Sequence, residues 1–413
     1  MSKYTSETQV KVCSFARRTE GDEVTIGDLR RQVFLTIPTD ALVILDGLAE
    51  GQTVAQARDC YQERYGDAPD IEDFLEALES AGFVSVATEG DEVAPDPTGE
   101  PTPTLRWLSP ARARRLCQPA AVVACGVLVA TALVLVATDP ATIPSPAVLV
   151  FKHYLAPLTV AMFVFAMAGV AVHELAHLAA ARAAGVDSRI GVSHRLWIAV
   201  AETDMTGIWL APKRARYLAF LAGPLVDAAS AAVLVGVVWG QRHGLIALTP
   251  IELQVVGACL LLYLLRLLWQ CFFFVRTDFY FVVAAAFNCG NLMVDTQNFL
   301  HNRVARVLPS WRAIDQSGVP EGEMRVVRWY AAFWLVGRAA AFFSLFAVVL
   351  PVTWQYIVAL VPLLLGGHSR YGVVDGLVFG LVSLSVQGLG LVMWVWSLFR
   401  WVIERKSHAM ATG

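Results

Sequence analysis

The chain divides into a polar first quarter and a body in which long apolar runs recur. In the first part, "VKVCSFARR" and "RRQVFLTIP" contain strand-like runs, with "EGDEVTIGDL" between them. Three helical patterns follow, at Asp40–Ala49, Val54–Tyr65 and Ile71–Ala81, and Thr53 and Asp70 are suitable N-caps for the second and third. Strands followed by three short helices predict a small winged-helix-like α+β domain over residues 1–87.

Beyond this domain the pattern becomes that of a membrane protein. Residues 88–105 are rich in Pro, Thr and acidic side chains, which predicts a solvated linker. From 106 to 413 the chain is mostly α and polytopic, because it holds about six apolar runs long enough to cross a bilayer. These runs are 119–138, 154–182, 217–240, 252–275, 329–350 and 374–401. The segment 353–367 is short and contains Pro362, so we predict a re-entrant or interfacial segment there.

Basic residues predict the orientation of these spans. Arginine and lysine flank the odd-numbered spans on their N-terminal side and the even-numbered spans on their C-terminal side, at Arg106, Arg112, Arg114, Arg115, Lys213, Arg214, Arg216, Arg276, Arg325, Arg328, Arg400, Arg405 and Lys406. With six spans, all of them lie on one side of the membrane. The positive-inside rule then places the N-terminal domain and the C-terminus in the cytosol.

The connection after the second span, "DSRIGVSHRLWIAVAETDMTGIWLAPKRAR", alternates apolar and polar residues. Its β-branched and aromatic residues lie on both sides of "AET", which is typical of a β-hairpin. The segment is too short and too polar to span a bilayer. We therefore expect a hairpin at the membrane edge or in a cavity within the protein.

Composition and charge sharpen this division. The protein is 56% hydrophobic and only 16% charged. Residues 1–100 carry 8 basic and 21 acidic residues, a net charge of −13, whereas the remainder carries 24 basic and 14 acidic residues, a net charge of +10. Phosphate binding requires a basic face, so the acidic domain is a poor candidate for binding nucleic acid. The seven scattered cysteines include no CxxC pair, which predicts reduced thiols and no cysteine metal site.

The candidate chemistry lies in the second span, within "GVAVHELAHLAAARAAG" at residues 169–185. On a helix, His173 and His177 lie one turn apart on the same face, where two imidazoles can bind one metal ion, and Glu174 lies beside them. This is the HExxH pattern of zinc metallohydrolases. The alternative is that the three side chains only hydrogen-bond between helices, but three ionisable groups in one span favour a functional site.

A catalytic zinc ion needs a third protein ligand, and Asp278 in "FFFVRTDFYFVVAAAF" is the best candidate. It follows the fourth span, which runs opposite to the second, so Asp278 and the HExxH pattern reach a similar depth on the same side. An interfacial ion pair between Asp278 and Arg276 is the alternative. His194, His301 and Asp227 are competing ligands that the predicted topology places less well.

From Tyr154 to Asp295 the chain resembles the site-2 protease family of intramembrane zinc metalloproteases. The resemblance rests on HExxH in one span, "AGPLVD" (222–227), and "RTDFYF" followed by "NLMVD". It implies that His173, His177 and Asp278 bind one Zn²⁺ ion and that Glu174 is the general base. Two positions depart from the family pattern. Phe279 replaces the glycine that commonly follows the ligand aspartate, and Asp227 replaces an asparagine thought to stabilise the oxyanion, which leaves that role unassigned.

Residues 10–86 resemble the PqqD-like domains known as RiPP recognition elements. The resemblance lies in a strand followed by Leu-x-x-Leu, Gly-x-Thr, Tyr-Gly and a final Phe-Leu-x-x-Leu helix, in "FLTIPTDALVILDGLAEGQTVAQARDCYQERYGDAPDIEDFLEALESAGFV". It implies that the domain binds the leader of a ribosomally made precursor peptide as an added strand. A winged-helix scaffold with another partner, or a DNA reader, is the alternative.

Together these patterns predict a membrane-embedded zinc endopeptidase of a bacterial-type cell membrane. Its N-terminal domain is expected to capture a precursor peptide, and its transmembrane domain to remove the leader. Two alternatives remain open: a signalling protease that cuts a membrane-anchored regulator, and a non-catalytic accessory protein for peptide binding or export.

Overall fold

The protein is mostly helical, and the part of the chain that the structure describes contains three small antiparallel sheets. The computed structural model describes residues 4–411 except 6–7, 29–32, 68, 87–103, 106, 150, 152–153, 288, 290, 309–310, 318, 352, 355–356 and 359–371. The predicted linker at 88–105 and the predicted re-entrant segment at 353–367 therefore fall largely outside the described residues.

The N-terminal part, here called the head, contains five strands and three helices between residues 10 and 86. Strands β2 (Ala16–Glu20), β3 (Glu23–Asp28) and β4 (Val33–Pro38) form an antiparallel sheet in that order, and β1 (Val10–Val12) pairs with β5 (Val84–Val86). The helices are α1 (Leu42–Ala49), α2 (Val54–Tyr65) and α3 (Ile71–Ser80).

Two features of the head differ from the pattern read from the sequence. The run "VKVCSFARR" is divided between β1 and β2, and the intervening "EGDEVTIGDL" contains a strand, β3. Gly21, at φ 65°, closes the two-residue turn between β2 and β3. Glycine tolerates this left-handed conformation, so the polar stretch to which no element was assigned forms the turn and second strand of a tight hairpin.

The three head helices follow from caps and an apolar core. Thr53 and Gln56 form a capping box at the start of α2, and Asp70 caps α3. The core consists of apolar side chains from all of these elements and includes the fully buried Ile26, Leu75, Leu78 and Phe83. The head therefore has a hydrophobic core of its own.

The remaining chain forms nine further helices among the described residues. They are α4 (Pro110–Leu116), α5 (Pro119–Thr138), α6 (Leu155–Ala183), α7 (Lys213–Arg242), α8 (Pro250–Gln270), α9 (Asp278–Ala286), α10 (Leu292–Ala305), α11 (Glu321–Ser344) and α12 (Val373–Ala411). Within the described ranges, six helical segments are long and apolar enough to cross a membrane, at 110–138, 155–183, 213–242, 250–270, 321–347 and 373–400. The prediction of a polytopic membrane protein is thus confirmed.

A hairpin is present between α6 and α7, as predicted, but its turn lies at residues 196–197 and "AET" lies inside its second strand. Strand β6 (Arg189–Arg195) pairs antiparallel with β7 (Ile198–Asp204). Helix α12 packs against the tip of this hairpin, where a Cβ on Gly390 would come within 2.5 Å of the backbone nitrogen of Ala199. Glycine at this position allows the close approach of helix and strand.

The fourth span ends earlier than the apolar pattern indicated. Helix α8 stops at Gln270 rather than at 275 and is followed by a 3₁₀ turn at Phe273–Val275. Arg276 then adopts φ 56°, in the left-handed region, and α9 begins at Asp278. Asp278 therefore lies at the start of a separate short helix, because the backbone reverses between the two apolar runs.

The head contacts the transmembrane body close to the hairpin. Glu20, at the end of β2, forms an ion pair of 3.3 Å with the buried Arg216 of α7 and also accepts a hydrogen bond from the backbone nitrogen of Lys213. Leu210, in the 3₁₀ turn between β7 and α7, approaches Gly27 of β3. The head thus lies against the segment that joins the hairpin to α7.

Candidate metal centre

Helix α6 places three ionisable side chains in the protein interior. His173, Glu174 and His177 are 6%, 7% and 2% exposed. His173 and His177 are four residues apart, and their rings meet edge to face with centroids 4.8 Å apart. The helical spacing has therefore brought both imidazoles to one face, as the HExxH pattern predicted.

Asp278 joins this pair from the start of α9. Its Oδ2 lies 3.1 Å from His173 Nε2 and 3.3 Å from His177 Nε2, and the two Nε2 atoms are 3.1 Å apart. Gln270, at the end of α8, holds the turn in place: its carbonyl accepts from the Thr277 hydroxyl, and its side chain accepts from the Asp278 backbone nitrogen. The break after α8 is thus what aims the carboxylate at the two histidines.

Each imidazole ring forms a hydrogen bond through Nδ1, and this bond determines whether Nε2, on the side of Asp278, is an acceptor. His173 Nδ1 lies 2.8 Å from Asp227 Oδ2, and His177 Nδ1 lies 2.7 Å from the carbonyl oxygen of Ala219. Both partners only accept, so each Nδ1 carries a proton. In the neutral rings both Nε2 lone pairs then converge on a carboxylate oxygen, an arrangement that suits a shared cation.

The size of this cluster suits zinc. Bonds of about 2.0–2.2 Å in a tetrahedral geometry separate ligand atoms by roughly 3.3–3.6 Å, close to the 3.1–3.3 Å observed here. His173, His177 and Asp278 form the one group among the described residues with an arrangement suited to a metal ion. Two imidazoles and a carboxylate also leave a fourth position open, as catalytic zinc sites do.

Helix α7 contributes the space that the imidazoles occupy. A Cβ on Gly223 would lie 2.5 Å from His173 Nε2 and even closer to His177 Nε2. Pro224 follows inside the helix and cannot donate to the carbonyl of residue 220. The Gly-Pro pair thus permits close packing of α7 against the two histidines, and the nearby Ala219 carbonyl accepts a hydrogen bond from His177 Nδ1.

Glu174 has a partner that the sequence pattern did not indicate. Thr203 of β7 donates from Oγ1 to Glu174 Oε2 at 2.8 Å and lies 3.1 Å from the Glu174 carbonyl oxygen. The hairpin therefore contacts the candidate general base directly. The sequence pattern set "AET" between the two apolar runs, whereas strand pairing places Thr203 inside β7. Only the register of the hairpin against α6 shows which hydroxyl meets the carboxylate.

The competing ligands lie elsewhere. His194 bonds to the Leu196 carbonyl oxygen within the hairpin, and His301 stacks on Trp311. Asp227 lies behind His173 and outside the ligand set. Among the described residues, the ion pairs of Asp278 are with the two histidines and none is with Arg276.

The "NLMVD" run supports the ligand helix from the side. The backbone nitrogen of Met293 donates to the Tyr280 hydroxyl at 3.0 Å, which ties α10 to α9. Asp295 of the same run is not part of the ligand cluster, and burial raises the pKa of its carboxyl to about 6. The run therefore positions the helix that begins with Asp278 and adds no ligand.

The functional assignment depends on this geometry. No protein-family model, curated protein or solved structure matches the chain. The observations that bear on function are three convergent ligand atoms, a buried glutamate next to one of them in the chain, and a location among helices long and apolar enough to cross a membrane.

Proposed function

We propose that the protein is a membrane-embedded zinc endopeptidase in which His173, His177 and Asp278 bind the metal and Glu174 is the general base. The observation that carries this proposal is the meeting of two Nε2 atoms and one carboxylate oxygen within 3.3 Å of one another. Glu174 supports it, because a buried carboxylate next to a metal ligand is the group that metallopeptidases use to move protons.

The chemistry requires few groups. A bound Zn²⁺ ion would polarise the scissile carbonyl and lower the pKa of a water molecule. Glu174 takes a proton from that water as the water oxygen bonds to the carbonyl carbon. Glu174 then gives the proton to the amide nitrogen as the carbon–nitrogen bond breaks. Thr203 keeps the carboxylate oriented through its hydroxyl, and surrounding apolar helices limit access of bulk water.

The decisive experiment measures metal and cleavage separately. We expect purified wild-type protein to hold about one zinc per chain, by elemental analysis, and to cleave peptides. Glu174→Gln should keep the zinc and lose at least 100-fold in cleavage rate, since general base catalysis contributes about 10²- to 10⁴-fold. His173→Ala and Asp278→Ala should lose both.

Asp295→Asn is the matched control, because it changes a partly buried carboxyl outside the ligand cluster. It should retain zinc and cleavage. Wild-type protein that holds no zinc, or a Glu174→Gln variant that cleaves at the normal rate, would overturn the proposal.

We further propose that the head captures the leader of a precursor peptide and presents it to the metal site from the cytosol. In the sheet β2-β3-β4, β2 and β4 are the outer strands. An extended peptide can pair with the outer edge of either strand and so add a further strand to the sheet. The ion pair between Glu20 and Arg216 joins the head to the first turn of α7. The same helix carries Gly223, which lies against the two histidines. The basic residues flanking the spans support a cytosolic location for both termini.

Deletion of residues 1–100 tests the role of the head. Wild-type and truncated proteins are compared on a full precursor peptide from the gene neighbourhood and on a generic peptide substrate that carries no leader. We expect the truncation to slow cleavage of the full precursor at least tenfold and to leave cleavage of the generic substrate unchanged. Equal loss on both substrates, with normal zinc content, would show that the head is structural.

A further inference from the structure

Asp227 occupies an unusual position for a carboxylate. It lies in the middle of α7, a helix long and apolar enough to cross a membrane, and is 1% exposed. An ionised group in such a place is costly unless it is paired. Asp227 has two partners, and both contact the same oxygen, Oδ2.

The first partner is the metal ligand His173. Its Nδ1 lies 2.8 Å from Asp227 Oδ2, on the side of the ring opposite the nitrogen that faces Asp278. A carboxylate cannot donate, so the ring proton stays on Nδ1 and the Nε2 lone pair stays available.

The second partner is Arg266 of α8. Its Nη2 atom lies 3.1 Å from Asp227 Oδ2. Gly169 on α6 makes room for this arginine, because a Cβ there would lie 2.6 Å from Arg266 Nη1. The guanidinium also lies over the ring of Tyr263. The arginine balances the charge of Asp227 and fixes its oxygen in one place.

From these contacts we infer that Asp227 is a positioning residue for the metal site, held in place by Arg266. It fixes the tautomer and orientation of His173 and raises its basicity as a ligand, as carboxylates behind metal-bound histidines do. The asparagine expected at this position for oxyanion stabilisation is therefore replaced by a group with a different task. This inference rests on the proposed metal site. It adds Asp227, which orients the ligand His173, and Arg266, which holds Asp227 in place.

The test measures metal affinity and ligand geometry in the full-length protein. Zinc affinity is measured by competition with a chelator, and the visible absorption bands of Co²⁺-loaded protein report the ligand geometry. Asp227→Ala should weaken zinc binding about 10- to 100-fold and change the Co²⁺ spectrum. Asp227→Asn should restore binding to within about tenfold of wild type, since its amide oxygen can still accept from Nδ1. Ser230→Ala, one turn further along α7, removes only a hydrogen bond to the Val226 carbonyl and should behave as wild type.

A double-mutant cycle tests the part played by Arg266. Arg266→Met should weaken zinc binding, because it leaves the buried anion without its counter-charge. Adding Asp227→Asn to Arg266→Met removes both charges and should recover most of that loss, whereas two independent residues would give additive losses.

The outcomes separate this inference from the proposed function. Wild-type protein without zinc would overturn both. Wild-type protein with zinc, together with an Asp227→Ala variant of normal affinity and normal Co²⁺ spectrum, would overturn only the role of Asp227. An Asp227→Asn variant as weak as Asp227→Ala, or strictly additive losses in the cycle, would also overturn it.

Discussion

The head and the transmembrane body bury opposite kinds of side chain. In the head, the core is apolar and the exposed positions are largely charged. In the body, leucine and valine dominate the exposed surface of the spans, whereas His173, Glu174, His177, Asp227 and Gln270 are buried. The difference follows from the solvent, because lipid does not reward burial of apolar groups as water does. A buried polar side chain in the body therefore marks a site that needs another explanation.

Helix α6 shows the same contrast along its own length. Its first half is largely exposed along an apolar surface, and its fully buried residues are Gly169 and a group between His173 and Arg182. Neighbouring α7 is the most enclosed of the spans, with 56% of its apolar window buried compared with 6% in the first span. The site thus lies where the second half of α6 meets α7, with Asp278 supplied by α9.

The largest expected effect comes from filling the space between these two helices. Gly223→Ala should abolish metal binding and reduce cleavage more than 100-fold, because its Cβ would overlap both imidazole rings. Alanine would otherwise favour the helix by about 1 kcal/mol, so any loss reflects the site and not helix propensity. Zinc content and cleavage rate are the measurements.

Gly236→Ala on the same helix is the control, since no atom lies within 4 Å of a Cβ built there. It should keep both zinc and activity. A Gly223→Ala variant that binds zinc normally would show that α7 does not pack against the ligands as described.

A second prediction compares one substitution in the two solvents. Leu75→Ala in the head should destabilise that region by about 2–5 kcal/mol, because the side chain is fully buried and leaves a cavity. Leu133→Ala in α5 should cost far less, since this leucine is 66% exposed and no cavity forms. Hydrogen exchange of the head amides in the full-length protein measures the first effect, and thermal unfolding of the body measures the second. Equal effects would contradict the view that the two regions are stabilised differently.

Much of this arrangement could be predicted from periodicity and spacing. The helical period fixes the relation of His173 to His177, and counting apolar runs gives the antiparallel spans that bring Asp278 to the same depth. The second and third head helices have caps that can be recognised in the sequence, and the bounds of all three helices agree closely with prediction. These features are local, or follow from the length of a span.

The remaining features depend on contacts between distant segments. The strand β3 was missed because its register is set by pairing with β2 and β4, and its polar residues resemble a loop. The hydrogen bond from Thr203 to Glu174 and the ion pair from Arg266 to Asp227 each join different elements. No periodic pattern marks such pairs, since they arise only when the helices and the hairpin have packed.

The smallest expected effect tests the contact between the hairpin and the candidate base. Thr203→Val keeps the size and branching of the side chain but removes the hydroxyl that donates to Glu174 Oε2. A hydrogen bond to a charged group contributes about 1.5–3 kcal/mol, so the cleavage rate should fall roughly 10- to 100-fold. Zinc content should be unchanged, because Thr203 does not contact a ligand atom. Thr203→Ser retains the hydroxyl and should recover most of the rate. If both variants lost activity equally, the hairpin would act through its backbone or its packing; if neither did, Glu174 would be oriented without it.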